Sequence, residues 1–584
     1  MTWAEAAKEL GRRPVTIVEL YVDYCSLVYG VGACPAVLGV DSEVKCYNTR
    51  RTCPVPAAFD PTFRCYRFSN RELGPLLPSV PCLTSVAFTS TKIDPGKSLG
   101  QRSSVQFQFQ DFPWDDRDLD KYASTRVNDP ESTGTYFGKW LARNPYYQNR
   151  VCKVLSGYMD DDGSVDLSKF QTRTFLLSKV DQPDAKGIVS ISCMDPIRLI
   201  DDSKAQCPKI STGSLSADIT DIEVTLTLLP LGVGAEYPVN GTAAIDEEVV
   251  NFSRVGDVIT LNLRGAQTTL AQEHKLGATF QLCKVYVDVP VADVLYELMT
   301  VFGSVPLAYI DKPAWDAECG TWLGGHLLNC TIASPTGVNA LVTELVSTCL
   351  FYIWWDDVTP TIRMKAVRPE DPSLLSRVLT DNDSFLAGSI SMVEDPDQRI
   401  SELWAGYNRK NPLLKLDEWR NYRTVDVFKD ADAESVYQYN ERRVRRLACR
   451  FFSDDNIAQI AILGERMLAR YRDNVRNFKF DLDAKDADIQ VGDVVEVRTK
   501  SLQGPDGLPV TTNMIILKRT EKREGHTFSY EATDSPFYGR YGFILPTGTA
   551  DYLAVTEAVR NKGCFICVTA TGLMPNGDLP YKIV

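Results

Sequence analysis

Residues 105–110 read VQFQFQ, a strict alternation of apolar and polar side chains. Successive side chains of a β-strand point to opposite faces of a sheet, so this stretch predicts a strand with one buried face. Similar strand patterns occur on either side of it, in 84–112, in 149–180 and through 205–290. We therefore predict a mainly β protein with some α (α+β), with several small β-barrel or sandwich-like modules in series.

Helical periodicity is confined to a few segments. It occurs at 291–302 and at 336–349, and residues 350–367 then form two apolar stretches around an Asp-Asp turn, which predicts a hairpin packed on the preceding helix. The clearest helix is predicted at 455–473. Its apolar face is formed by Ile457, Ile460, Ala461, Gly464, Met467, Leu468 and Tyr471.

Length and charge restrict the possible functions. The chain has 584 residues, with 63 basic and 76 acidic side chains and a formal net charge of −13. The acidic balance argues against a large basic surface for nucleic acid, and no apolar run reaches the roughly 18 residues of a membrane span. The predicted units are a cysteine-rich segment 1–85, β-rich domains 86–204 and 205–290, an α/β domain 291–400, a helix with a barrel-like domain 401–545, and a strand-rich tail 546–584.

Six cysteines stand in the first 82 residues, and four of them form two pairs: Cys25 with Cys34, and Cys46 with Cys53. Glycines and prolines crowd around them, so the segment buries little apolar surface and requires a covalent or metal staple. Zinc would favour Cys-x2-Cys knuckles or added histidines, which are absent from this segment. Ligation by four thiolates suits an iron–sulfur cluster, although the ferredoxin spacing is absent too.

The compartment decides between the possible staples. A short amphipathic helix opens the chain, and no apolar signal-peptide region follows it, so we expect a reducing environment. Clustered thiols there bind metal, remain as buried free thiols, or form disulfides late. Spacing alone leaves all three alternatives open.

No constellation typical of an enzyme is visible. His274, His326 and His526 are far apart in the sequence, and no zinc-protease, nucleophile-elbow or nucleotide-binding motif occurs. A glycosidase pair of carboxylates has no signature that sequence would reveal. Cys564 and Cys567 have thioredoxin-like spacing but lie in an apolar strand-like context, which favours buried thiols. We predict that the protein is not an enzyme.

A basic stretch, ERRVRRLACR at 441–450, concentrates positive charge in a short part of the chain. It alternates like a strand and lies in an acidic chain, so it favours a contact between subunits or a salt-bridge network over nucleic-acid binding. The residues concerned are Arg442, Arg443, Arg445 and Arg446.

The cysteine pairs and the phrase KCYNTRRTC at 45–53 resemble the cluster-binding segment of tail-tip proteins from long non-contractile-tailed bacteriophages. The resemblance implies a [4Fe–4S] cluster. Its implied ligands are Cys25, Cys34, Cys46 and Cys53.

Two further segments are similar to phage tail hub and baseplate proteins. One is 247–282, and the other is the helix at 455–473 with the strands that follow it through 543. In relatives the cluster segment commonly ends a separate, smaller protein, so its place at the start of this chain implies a fusion. Cys65 and Cys82 are further cysteines of this region, and the sequence leaves open whether either one replaces one of the four implied ligands. The pattern in the first segment consists of Arg264, Gly265, Thr268, His274, Gly277 and Ala278.

The resemblance implies a structural virion protein, the baseplate or tail-tip hub of a siphovirus-like tail, assembled in the host cytoplasm. It implies three copies in a ring that closes the tail tube and opens for the tape-measure protein and DNA. The implied partners are copies of itself, the distal tail protein or tail tube, the tape-measure protein, tail fibre or receptor-binding proteins, and the host envelope at infection. DNA would pass through without sequence-specific contact. The alternatives are a tail-associated cell-wall hydrolase and a receptor-binding tip protein.

Overall fold

A computed structural model of the chain confirms the mainly β class, with several separate sheets and fewer helices. No helix among the described residues has both the length and the apolar character needed to cross a membrane. The structure describes residues 2–9, 11–37, 40, 46–75, 77–116, 134–160, 162–323, 326–368, 377–486, 488–534, 541–542, 550, 554–556 and 582–583.

The N-terminal part of the chain folds mainly into one large sheet. Its elements are α1 (Trp3–Ala6), β1 (Pro14–Cys25), β2 (Pro61–Ser69), β3 (Leu83–Thr89), β4 (Lys92–Asp94), β5 (Ser98–Gln101), β6 (Ser104–Gln110), α2 (Tyr136–Arg143), β7 (Val151–Tyr158), β8 (Phe170–Val180) and β9 (Ile188–Met194). Seven strands pair in the order β2-β1-β7-β8-β9-β6-β3, and every pairing is antiparallel. Residues 1–85 and 86–204, predicted as separate units, both contribute strands to this sheet.

The alternation of apolar and polar residues in β6 gives the strand one buried face, as predicted. Val105, Phe107 and Phe109 are buried, and the glutamines between them are exposed. Helix α2 packs on this apolar face, where the rings of Phe109 and Phe137 lie 5.3 Å apart and those of Phe68 and Phe137 lie 5.4 Å apart. The cysteine loop joins β1 to β2, at the opposite edge of this sheet from β6 and β3.

The next unit is a small, separate β module. Its elements are β10 (Gln206–Cys207), β11 (Ser214–Leu215), β12 (Thr225–Leu229), β13 (Asn240–Ile245), β14 (Glu248–Val255), β15 (Val258–Ala266) and β16 (Phe280–Leu282). Six of these strands form a sheet in the order β11-β12-β15-β14-β13-β16. Its own core includes Leu228, Ile245, Phe252 and Phe280.

Helices concentrate in the centre of the chain. The elements are β17 (Lys284–Pro290), α3 (Val291–Glu297), α4 (Lys312–Trp322), β18 (Leu327–Ile332), β19 (Thr336–Gly337), α5 (Val338–Cys349), β20 (Phe351–Asp356) and β21 (Thr361–Ala366). The hairpin predicted at 350–367 is confirmed as β20 paired with β21, and α5 packs against it as predicted. The helix predicted at 291–302 is α3 continued by a π-helical turn, Leu298–Phe302.

Among the described residues, the C-terminal part contributes strands to three sheets. Its elements are β22 (Val378–Thr380), β23 (Ser391–Asp395), β24 (Glu402–Arg409), β25 (Tyr422–Lys429), α6 (Ala431–Glu434), β26 (Val444–Ala448), α7 (Ile457–Tyr471), β27 (Val475–Asp483), β28 (Val494–Gln503), β29 (Pro509–Arg523), β30 (Thr527–Asp534), β31 (Tyr541–Gly542) and β32 (Lys582–Ile583). One sheet has the order β25-β24-β26. A second has the order β22-β28-β29-β30-β27-β23, with β4 paired to β29 and β5 to β4, and the third pairs β31 with β32.

Helix α7 confirms the helix predicted at 455–473. Ile460, Met467 and Tyr471 are buried as expected, whereas Ile457 is exposed because it is the first residue of the helix. The buried Gly464 lets the Phe428 ring of β25 approach the helix backbone: a Cβ at this position would lie 2.3 Å from the ring. The helix therefore rests directly on its neighbouring sheet.

Contacts distant in sequence join the two ends of the chain. Arg12 forms a two-pronged ion pair with Asp483 at 2.8 and 3.1 Å, and Lys92 of β4 pairs in register with Lys518 of β29. These contacts place the edge strand β3 beside the C-terminal sheet.

Candidate metal centre

The paired cysteines lie on a long loop between two neighbouring strands. Strand β1 ends at Cys25, which is opposite Pro61 at the start of β2. The Cys25 N–H donates to the Asn48 carbonyl at 2.7 Å, and the Ser26 N–H donates to the Asp60 carbonyl at 3.0 Å. These bonds bring the middle and the end of the loop back to the end of β1.

Asn48 fixes the middle of this loop. Its φ of 55° lies in the left-handed region, which asparagine adopts more readily than most residues. Its side-chain amide donates to the carbonyl oxygens of Cys25 at 3.1 Å and Leu27 at 2.8 Å. Its backbone N–H lies 3.4 Å from Cys46 Sγ, which accepts a hydrogen bond from it. Reasoning from the sequence missed this role, for which the only signal was an asparagine two residues after a cysteine.

The loop brings Cys25, Cys34, Cys46 and Cys53 to the wall of one small cavity of about 20 Å³. Cys25 is buried, the other three are half-buried, and all four are free thiols. They therefore face one another around little open space. The rest of the wall is formed by Leu27, Tyr29, Ala36, Asn48, Pro54, Val55 and Ala58.

The electrostatic environment of Cys46 reflects this arrangement. Burial raises the pKa of the Cys46 thiol, and the hydrogen bond from Asn48 opposes that rise. The neighbouring thiols of Cys53, Cys25 and Cys34 raise the pKa further, since a second thiolate nearby repels the first. A bound metal centre would reverse this balance because it stabilises thiolates.

The side chains at the cavity are of the kind that an iron–sulfur cluster would require. Within the described part of the chain, which leaves out residues 38–39 and 41–45 of this loop, no group of three or more His, Cys, Asp or Glu side chains is placed to hold a metal ion. In a four-iron cluster each cysteine binds a different iron atom, so the sulfur atoms are spread more widely than around one zinc ion. The cavity wall supplies four thiols and, among its described residues, no carboxylate or imidazole.

The two additional cysteines lie elsewhere. Cys65 is an exposed residue of β2, opposite Tyr21 of β1. Cys82 is buried in the aromatic core, where burial raises the pKa of its thiol to about 12. Neither lines the described wall of the cavity. Cys564 and Cys567 are outside the described residues.

Helix α2 supports the loop from the side. The Arg143 guanidinium lies 3.7 Å from the centre of the Tyr47 ring. In the sequence, Tyr47 lies between Cys46 and Cys53, two of the cavity cysteines. Asp116 holds this arginine through two hydrogen bonds of 2.7 and 2.8 Å. Tyr47 N–H also donates to Thr52 Oγ1 at 3.1 Å, which closes the turn before Cys53. Arg143 carries no sequence signal for this role, since it lies about 100 residues from the loop.

The three histidines occupy three different environments. His274 is fully buried between two carboxylates, 2.8 Å from Asp246 and 2.9 Å from Glu248. His326 is buried against Phe452, and burial lowers its pKa to about 4. Burial also lowers the pKa of His526, which lies in the turn between β29 and β30. The fold does not bring these histidines into one site.

His274 belongs to a network in the small β module that includes three residues of the hub-like pattern: Arg264, Gly265 and His274 itself. Arg264 binds the buried carboxylate of Glu248 through both prongs, at 2.7 and 2.8 Å. The Gly265 and Gln272 N–H groups donate to the same carboxylate at 2.8 and 3.2 Å. Burial alone would raise the pKa of Glu248, but its partners, led by Arg264 and His274, lower it to about 2.

The basic stretch at 441–450 forms ion pairs within the chain. Arg442 holds Glu402 at 2.7 and 2.8 Å, and Arg443 holds Glu441 at 2.8 Å. The Arg446 guanidinium lies 5.0 Å from the centre of the Trp404 ring. The salt-bridge network predicted for this stretch is therefore present, and the subunit contact stays a prediction.

No protein-family model matches the chain, and no curated protein matches it. Among solved structures, the chain is similar to a tail protein from Neisseria meningitidis MC58, with 11% identity and a TM-score of 0.35 over 78% of this chain and 98% of that one. It is similar to the 43 kDa tail protein of prophage MuSo2 from Shewanella oneidensis, with 10% identity and a TM-score of 0.34 over 77% and 98%. Prophage tail protein gp18 from Listeria monocytogenes EGD-e gives 8% identity and a TM-score of 0.32 over 76% and 87%. These distant similarities assign no function.

Proposed function

We propose that this chain is a structural protein at the tip of a phage-type tail, and that Cys25, Cys34, Cys46 and Cys53 bind a [4Fe–4S] cluster. The observation that carries the proposal is the shared cavity of these four cysteines. Their pattern in the sequence resembles that of tail-tip proteins, and they are separated by up to 28 residues, so their meeting at one cavity is not a consequence of proximity along the chain.

The chain's own residues prepare this cavity. Asn48 ties the loop to the end of β1, and Arg143 of α2 packs on the intervening Tyr47. When bound, the cluster would supply iron–thiolate bonds that staple a loop with little apolar core. The cluster's role is therefore proposed as structural.

Cysteine substitution tests the metal part of the proposal. Cys46→Ser, in protein purified anaerobically from iron-replete cells, should lose most bound iron and sulfide and the visible absorption of the cluster. Cys65→Ser is the matched control, because Cys65 lies on β2, the strand that pairs with β1 and follows the cysteine loop, but does not line the described cavity wall. Equal iron content in the two variants would contradict the assignment. Loss of iron from Cys65→Ser but not from Cys46→Ser would show that Cys65, and not Cys46, is a ligand.

The tail part of the proposal has an independent test. We propose copies of this chain as the hub of the tail tip, with the tail tube or distal tail protein, the tape-measure protein and receptor-binding or fibre proteins as partners. Immunogold electron microscopy of purified virions with an antibody against this chain should place gold at the distal end of the tail. Gold on the capsid, along the tube or absent from virions would contradict this position, whatever the cluster result.

A further inference from the structure

One edge of the N-terminal sheet has no partner strand among the described residues. Strand β3 is the last strand of the seven-stranded order and pairs with β6 on one side, from Leu83 to Thr89. Among the described residues, no backbone hydrogen bond reaches the other side of 84–89. Such an edge presents a row of N–H and C=O groups on which another strand can pair.

This edge lies in a groove. Leu83 through Phe88 line a cleft of about 310 Å³, and Phe88 through Thr91 line a second cleft of about 570 Å³, so that Phe88 lines both. Residues of β29 line both clefts; the hairpin of β20 and β21 adds to the wall of the larger cleft, and Thr16 of β1 and Ser156 of β7 add to the wall of the smaller one. Phe88 marks the junction, with the Arg173 guanidinium 4.6 Å from the centre of its ring.

The two ends of the groove have opposite charge. The larger cleft is lined by five basic residues and four acidic ones: Arg173, Arg363, Lys365, Arg368 and Arg519 against Glu318, Asp356, Asp357 and Asp493. The smaller cleft is lined by Glu521 and Glu524 with one lysine, Lys522, and is negative.

We propose that the edge of β3 binds an extended segment of a partner protein, which adds to the sheet as a strand and places carboxylates at the Phe88–Thr91 end. Backbone hydrogen bonds to β3 would supply the affinity. The charged side chains of the larger cleft would supply the preference for an acidic segment. The recessed edge favours a single extended chain over a second folded copy, since residues of β29 line both clefts beside it. The proposal is independent of the cysteine cluster.

A peptide pair tests this inference on the full-length protein. The probes are a seven-residue capped peptide of alternating valine and glutamate, and the same peptide with lysine in place of glutamate. We expect the acidic peptide to bind at least tenfold more tightly, although the chain's net charge of −13 favours the basic one. Hydrogen exchange should show slower exchange in 84–90 when the acidic peptide is bound.

The matched variants are Arg363→Glu and Arg420→Glu. Arg363 lies in the positive cleft and is partly exposed, whereas Arg420 is an exposed residue outside the groove. The first should weaken binding of the acidic peptide by at least tenfold and the second should not change it. Absent binding, protection elsewhere in the chain, or equal effects of the two variants would overturn the proposal. Protection of 84–90 in the free protein would also overturn it, and sedimentation would then show whether a second copy or the chain itself covers the edge.

Discussion

Glu248→Gln should open the small β module locally. The substitution keeps the size of the side chain but removes the charge that Arg264 and His274 contact, and leaves the Arg264 guanidinium buried without its carboxylate. Breaking a buried ion pair in this way costs about 3–5 kcal/mol. The pKa of Glu248 gives a similar figure: a carboxyl whose pKa falls from 4.5 to about 2 on folding contributes about 3 kcal/mol near neutral pH.

The assay must report on this module alone, because a chain with several sheets does not unfold in one step. Hydrogen exchange measured by mass spectrometry on peptides from β13 to β15 meets that requirement. A loss of about 3 kcal/mol corresponds to roughly a hundredfold faster exchange of the protected amides, if exchange proceeds through opening of the module. The matched control is Glu247→Gln, since Glu247 is the exposed neighbour. Exchange rates that are equal in the two variants would refute the role given to Glu248.

Other contacts in the chain lead to three more expected outcomes. Acidification should weaken the small module, because the contribution of Glu248 is present above pH 4.5 and is lost as the pH falls toward 2. Hydrogen exchange across this range should rise more steeply in the unmodified protein than in Glu248→Gln, which lacks this carboxyl, and an equal response of the two proteins would contradict the prediction. Gly464→Ala should destabilise the packing of α7 on β25 by about 1–3 kcal/mol, because the added Cβ would meet the Phe428 ring. The control Glu465→Ala should not have this effect. Thermal unfolding that ranks the two variants in the reverse order would contradict the prediction. Arg442→Glu should increase proteolysis of the segment from β24 to β26, since it places a second carboxylate beside Glu402. Arg420→Glu is the control and should leave the cleavage rate unchanged. Equal cleavage of both variants would show that the ion pair of Arg442 with Glu402 does not stabilise this sheet.

The sequence predicts local structure well where one period dominates. The alternation in VQFQFQ and the three- and four-residue spacing in α7 both correspond to buried faces, because a single core lies on one side of each element. The hairpin of β20 and β21 was predictable for the same reason, with two apolar runs around a turn. What periodicity did not reveal is which strands share a sheet. The pairing of β1 with β7 and the insertion of β4 beside β29 depend on contacts across more than 100 residues.

The candidate site divides in a similar way. Four cysteines were recognisable from their spacing and a family resemblance, but the residues that organise them were not. Asn48 acts through a backbone conformation, and Arg143 reaches the loop from a helix far along the chain. The basic stretch at 441–450 shows the same limit: its charges are visible in the sequence, whereas the partner Glu402 of Arg442 lies 40 residues away on β24.

Native mass spectrometry of the unmodified, anaerobically purified chain would show whether Cys25, Cys34, Cys46 and Cys53 hold one cluster. We expect one dominant species heavier than the bare chain by four iron and four sulfide ions, with elemental analysis giving about four iron atoms per chain. A bare chain from an iron-replete preparation, or a species carrying stoichiometric zinc, would contradict it.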